Sequence, residues 1–235
     1  MPDLPEHSSP KAARILAAAG ELLLGRGSKG VTIADVAAKA HIGKGTVYLY
    51  WKTKEDLLLG LICRDFLALA DDVTEAVTAD PDLARPSRLL PHMLRTASRH
   101  PFVSALRGGD DGLLGALAED PRSAALLDAL GPDAVMYDVL PIWRRHDLAR
   151  TDWALDEQAM ALHALLTGFL VLTTEGRFRP GATAPDTAFA AAVTALLGPE
   201  RATADQVRAT AAEGLRSLAE GRATALELIS RPTLG

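Results

Sequence analysis

A chain of 235 residues with 48% hydrophobic content is long enough to bury one or two cores. Its 25 basic and 30 acidic residues give a net charge of −5, which argues against indiscriminate coating of nucleic acid. The single cysteine, Cys63, excludes an intrachain disulfide, and the six histidines show no ligand spacing, so neither metal nor cofactor is expected.

Residues 1–10, MPDLPEHSSP, are polar and proline-rich; they are expected to be a disordered tail, not a signal peptide or an anchor. Residues 11–24 place Ile15, Ala19, Leu22 and Leu23 on one helical side. Gly25–Gly30 matches GxGxxG, but a helix precedes it, so it reads as a helix stop and turn. Thr32 with Asp35 three residues on is a capping-box pattern. Ile33, Val36, Ala37 and Ala40 then mark one buried face. His41-Ile42-Gly43 breaks the pattern, and a second helix follows from Lys44. Val47 and Trp51 face inward, while Lys44, Gly45, Thr46, Tyr48 and Tyr50 are turned outward. A cation, a close backbone approach and hydroxyl donors are what phosphate and base-edge contacts need, so the pair reads as a helix-turn-helix. Thr53 and Asp56 repeat the cap before a long helix over 54–79. All six lysines lie in the first 54 residues, so a locally basic head precedes an acidic body.

Over roughly residues 11–62 the chain, through the run ILAAAGELLLGRGSKGVTIADVAAKAHIGKGTVYLYWKTKEDLLLGLI from Ile15 to Ile62, resembles the N-terminal domain of the TetR (tetracycline repressor) family of bacterial transcriptional regulators. The resemblance implies a homodimer that reads a near-palindromic double-stranded DNA operator and releases it on binding a small-molecule effector. By position it implies that Lys44, Gly45, Thr46, Tyr48 and Tyr50 face DNA and that Thr32 and Lys54 hold phosphates. His41 stands where a turn glycine is common, and Gly43 where a capping serine is.

Beyond residue 62, helices are expected over 86–99, 101–107, from Pro121, from Pro132 to about Ala149, over 155–174, 186–197 and 204–229. Gly108–Asp110 and residues 176–185 read as loops. The fold class is therefore all-α. A three-helix helix-turn-helix domain over 11–53 joins, through a long helix, a helical ligand-binding and dimerisation domain within 54–235. Polar or aromatic residues on apolar helices make Phe66, His92, Arg95, Phe102, Tyr137, Trp143 and His163 the expected ligand-binding set. Leu162, Leu165, Leu166 and Phe169, at i, i+3, i+4, i+7, are the expected dimer interface, together with the 186–197 helix. The longest apolar stretch, Ala159–Leu172, is expected to be too short to span a bilayer, so no membrane partner and a cytoplasmic location follow. No G-x-S-x-G or other catalytic constellation is present, and the chain is not expected to be an enzyme. An activator, a regulator without a small ligand, and a helical enzyme or binding module with a vestigial head stand as alternatives to a ligand-released repressor.

Overall fold

The structure is a computed structural model that describes residues 4–108, 115, 117, 120–174 and 185–230. All regular structure among these residues is helical, as the composition required. Of the expected loops Gly108–Asp110 and 176–185, residues 109–110 and 176–184 lie outside the described residues, while Gly108 ends one helix and Pro185 begins another. The chain divides into two compact units: residues 1–67, 101–126 and 223–235 form one, and 68–100 with 127–222 form the other. This differs from the expected division into 11–53 and 54–235. The long helix Lys54–Ala79 contributes its first residues to one core and its last to the other, so no boundary falls at its start.

In the first unit, α1 (Pro5–Ser8) and α2 (Pro10–Arg26) precede α3 (Ile33–Lys39), α4 (Lys44–Tyr50) and α5 (Lys54–Ala79). The expected disordered tail is corrected from Leu4 onward. Leu4 is buried, and Glu6 pairs with Arg64 through both carboxylate oxygens. Burial, the largest single influence, opposes ionisation of Glu6, but the Arg64 hydrogen bond, a backbone hydrogen bond and the Arg64 and His7 charges together outweigh it and hold the carboxyl below its ordinary range. Ser9 caps α2, and Pro10 occupies the first turn, where its missing N–H is no loss.

Ile15, Leu23, Val36, Val47, Leu57, Ile62, Cys63 and Phe66 make the core of this unit. Phe102 and Val103 join it from the helix Pro101–Gly108, whose first two N–H groups donate to Asp65 Oδ2. Burial pushes the Cys63 thiol up to about 12. Ellman's reagent at pH 8 should therefore leave the native thiol unlabelled and label it on unfolding. Stoichiometric labelling of native protein within minutes would show that the core opens there.

In the second unit Pro86–Ala97 packs on Pro185–Leu197, which also packs on Leu155–Thr174. The single helix expected from Pro132 to about Ala149 is three pieces. Pro132–Ala134 is followed by a π-helical turn over Val135–Val139 and then by Leu140–Arg145. Pro141 is the physical cause. It has no N–H, and its ring crowds the carbonyl four residues back, so the chain widens and Leu140 N reaches back to Val135 O. By length and composition alone Leu155–Thr173, 19 residues of mean hydropathy 1.2, could cross a membrane; it is longer than the stretch from Ala159 to Leu172. Leu162, Leu166 and Leu170 on it are buried within the protomer.

Candidate nucleic-acid interface

The break between α3 and α4 is a Schellman turn. Ile42 N donates to Ala37 O at 3.0 Å and His41 N to Ala38 O at 3.1 Å. This geometry puts His41 in the left-handed region, at φ 53°. Glycine or asparagine is usual there because a Cβ is strained. His41→Gly should raise stability by about 0.5–1 kcal/mol, the relieved strain exceeding the added chain entropy. A denaturation midpoint that falls would mean the histidine makes a compensating contact.

The capping box at the start of α3 is complete. Asp35 N donates to Thr32 Oγ1 at 3.2 Å, and Thr32 N donates to Asp35 Oδ2 at 3.0 Å. The Thr32 hydroxyl also donates to Asp35, which holds that exposed carboxyl below its ordinary range. Thr32 is thus already engaged within α3. By contrast α4 has no side-chain cap, because Gly43 supplies none.

The inward pair is as expected: Val47 and Trp51 are buried. Outward, Lys44 and Gly45 are exposed, Thr46 is half-buried, and Tyr48 is 47% exposed. A Cβ added at Gly45 would meet nothing within 4 Å, so the backbone there is open to a close approach. Two further features were missed. Leu49, on the same short helix, is 78% exposed, an apolar side chain with no partner in the fold. Lys52 is exposed just after the helix, and among the described residues neither it nor Lys44 has a hydrogen-bond or ion-pair partner. Leu49 was legible as the one apolar residue of α4 off the Val47–Trp51 face.

Besides Thr32, two further expected DNA contacts have partners inside the chain. Tyr50 Oη and Ser9 Oγ lie 2.6 Å apart, so the tip of α2 positions the end of α4. Lys54 Nζ donates to Ser28 O at 3.1 Å, which ties the start of α5 to the Ser28–Gly30 turn and leaves two ammonium protons. Lys44, Gly45, Thr46, Tyr48 and Lys52 therefore carry the free face, a cationic and hydroxyl-bearing surface over one short helix.

Residues 15–61 match the model for bacterial regulatory proteins of the tetR family. Over these residues the chain carries a DNA-binding domain of the TetR type. It is also similar to the "Fatty acid metabolism regulator protein" of Bacillus subtilis (strain 168), with 27% identity over 192 residues that cover 73% of this chain and 97% of that protein.

The expected ligand-binding residues do not come together. Phe66 and Phe102 belong to the core of the first unit. Arg95 pairs with Asp186 at 2.5 Å, and His92 Nε2 lies 3.3 Å from Thr96 Oγ1. Burial, then the Arg95 and Arg99 charges, hold His92 below its ordinary range. Tyr137 is exposed, and His163 is half-buried on the Leu155–Thr174 helix. Only Trp143 lines the cavity of the second unit. That cavity, about 80 Å³ and partly open to solvent, is walled by residues from Val73 to Leu218.

Proposed function

We propose that this regulator is a homodimeric repressor that binds a near-palindromic operator and is released by a small-molecule effector. The observation that carries the DNA reading is the unpaired cationic face of α4, set on a buried Val47–Trp51 seam in a complete helix-turn-helix. One recognition helix per chain calls for two chains to fill successive major grooves. The relative's name speaks of fatty acid metabolism, which supports regulated genes of that kind. A DNA-binding protein of this type works in the cytoplasm.

The expected dimer interface needs revision. Leu162 and Leu166 are buried in the protomer's own core, and the Phe169 ring lies 4.6 Å from that of Phe189. These three have intrachain partners, while Leu165 is half-buried. The exposed stripe of the same helix is Met160, Ala164, Thr167, Gly168 and Val171, and Pro185–Leu197 exposes Ala188, Ala191 and Ala195. Small residues let two helices approach closely, so the second copy docks on this stripe.

The experiment is selection of bound sequences from a random DNA pool, followed by titration against salt. Lys44→Ala should lower the slope of log affinity against log salt by about two units per dimer, one per protomer, for every sequence alike. Lys54→Ala should lower both that slope and the melting temperature, since its ammonium serves Ser28 as well. A pool that yields no enriched sequence would overturn the regulator reading. An unchanged slope in both variants would remove the phosphate roles.

A further inference from the structure

We propose that the cavity of the second unit is the effector site and that it takes an uncharged hydrocarbon group, excluding ionised ones. This rests on the ligand-responsive reading above and deepens it. The chemistry of the lining decides the class. Val73, Leu89, Met93, Val135, Val139 and Trp143 form apolar walls, and among the described residues no charged side chain lines the space. Its polar side chains are Thr210 and Ser217. The Thr210 hydroxyl already donates to Gln206 O at 2.9 Å, and the Trp143 indole N–H to Ala84 O at 2.9 Å. Ser217 is left as the side-chain donor that can meet a ligand. An ionised carboxylate or ammonium placed here would lose its hydration and gain no counter-charge. Arg95 and His92, expected at the site, do not line the cavity.

Small residues create the space. Ala129, Gly131 and Ala134 stand on one side, and Ala211 and Gly214 on the other. On the Ala204–Ser230 helix, Ala211, Gly214, Leu215 and Leu218 share one face at i, i+3, i+4, i+7, with Gly214 near its centre. A Cβ at Gly214 meets nothing within 4 Å. The same helix is held close further on, where a Cβ at Gly221 would come within 2.3 Å of Ala129 O. The wall is thus fixed at Gly221 and open at Gly214. The π-turn adds Val135 and Val139 to the lining, and such turns recur at binding sites.

The test uses full-length protein and the neutral fluorophore N-phenyl-1-naphthylamine. The probe should bind saturably. Methyl decanoate should displace it, and decanedioate, of similar length but charged at both ends, should need at least tenfold more. Gly214→Leu should weaken probe binding at least tenfold while leaving the melting temperature equal or higher, since it replaces a helical glycine where an added Cβ meets nothing within 4 Å. Three results each overturn the proposal: no saturable probe binding by the wild type, equal displacement by the two competitors, or full probe binding by a folded Gly214→Leu protein. A lower melting temperature in that variant also counts against it, because the space at Gly214 would then not be open. Operator selection on the same preparations reads the other conclusion separately. DNA binding without probe binding removes the cavity site and leaves the regulator; probe binding without DNA binding does the reverse.

Discussion

Ala164→Glu should convert the protein to a monomer at micromolar concentration and weaken operator binding at least about 100-fold. Ala164 is exposed in the protomer, on the stripe with Met160, Gly168 and Val171. A surface change of this kind alters protomer stability by only about 0.5 kcal/mol. Across a two-fold axis, however, each copy contributes one carboxylate, and two like charges are desolvated against an apolar face. Losing the dimer removes the effective concentration that joins the second recognition helix to the first, so half-site affinity is what remains. Sedimentation and a gel shift on the same sample read both effects. A variant that stays dimeric would place the interface elsewhere, and a monomer with undiminished operator affinity would end the two-head reading. Leu166→Glu cannot serve here, because Leu166 is buried and the charge would unfold the protomer.

Local patterns were legible in the sequence wherever one helix carried the whole signal. The bounds of Lys54–Ala79 and Leu155–Thr174 follow from their apolar spacing, and the Thr32–Asp35 capping box from two residues three apart. What depends on partners distant in sequence was not legible. Ser9 reaches Tyr50 across 41 positions and Lys54 reaches Ser28 across 26, and neither pairing has a local signature. The ligand-binding set failed for a related reason. A polar or aromatic residue on an apolar helix is resolved by whatever it packs against: Asp186 for Arg95, a core for Phe66 and Phe102. The cavity is instead made by what is missing, the small side chains at Ala129, Gly131, Ala134, Ala211 and Gly214, drawn from separate helices. The π-turn was signalled by Pro141 inside the expected helix, since a proline there has to break the regular ladder.

Trp143→Ala should destabilise the protein by about 3–5 kcal/mol, a large share of what a domain of this kind has. Trp143 is fully buried, and its indole N–H donates to Ala84 O at 2.9 Å. Truncation removes the largest side chain of the second unit's core, enlarges a cavity that already exists, and leaves the Ala84 carbonyl without its partner. Trp143→Phe separates these effects. It keeps most of the apolar volume but loses the donor, so about 1–3 kcal/mol should be lost, the penalty of a buried polar group left unsatisfied. Urea unfolding of the three proteins gives the order wild type, Phe, Ala. Equal stability of the Phe and wild-type proteins would mean that water replaces the indole at Ala84 O. Equal stability of the Ala protein would mean that the wall collapses to fill the space. A collapsed wall would also abolish N-phenyl-1-naphthylamine binding, whereas an enlarged cavity in folded protein should keep it.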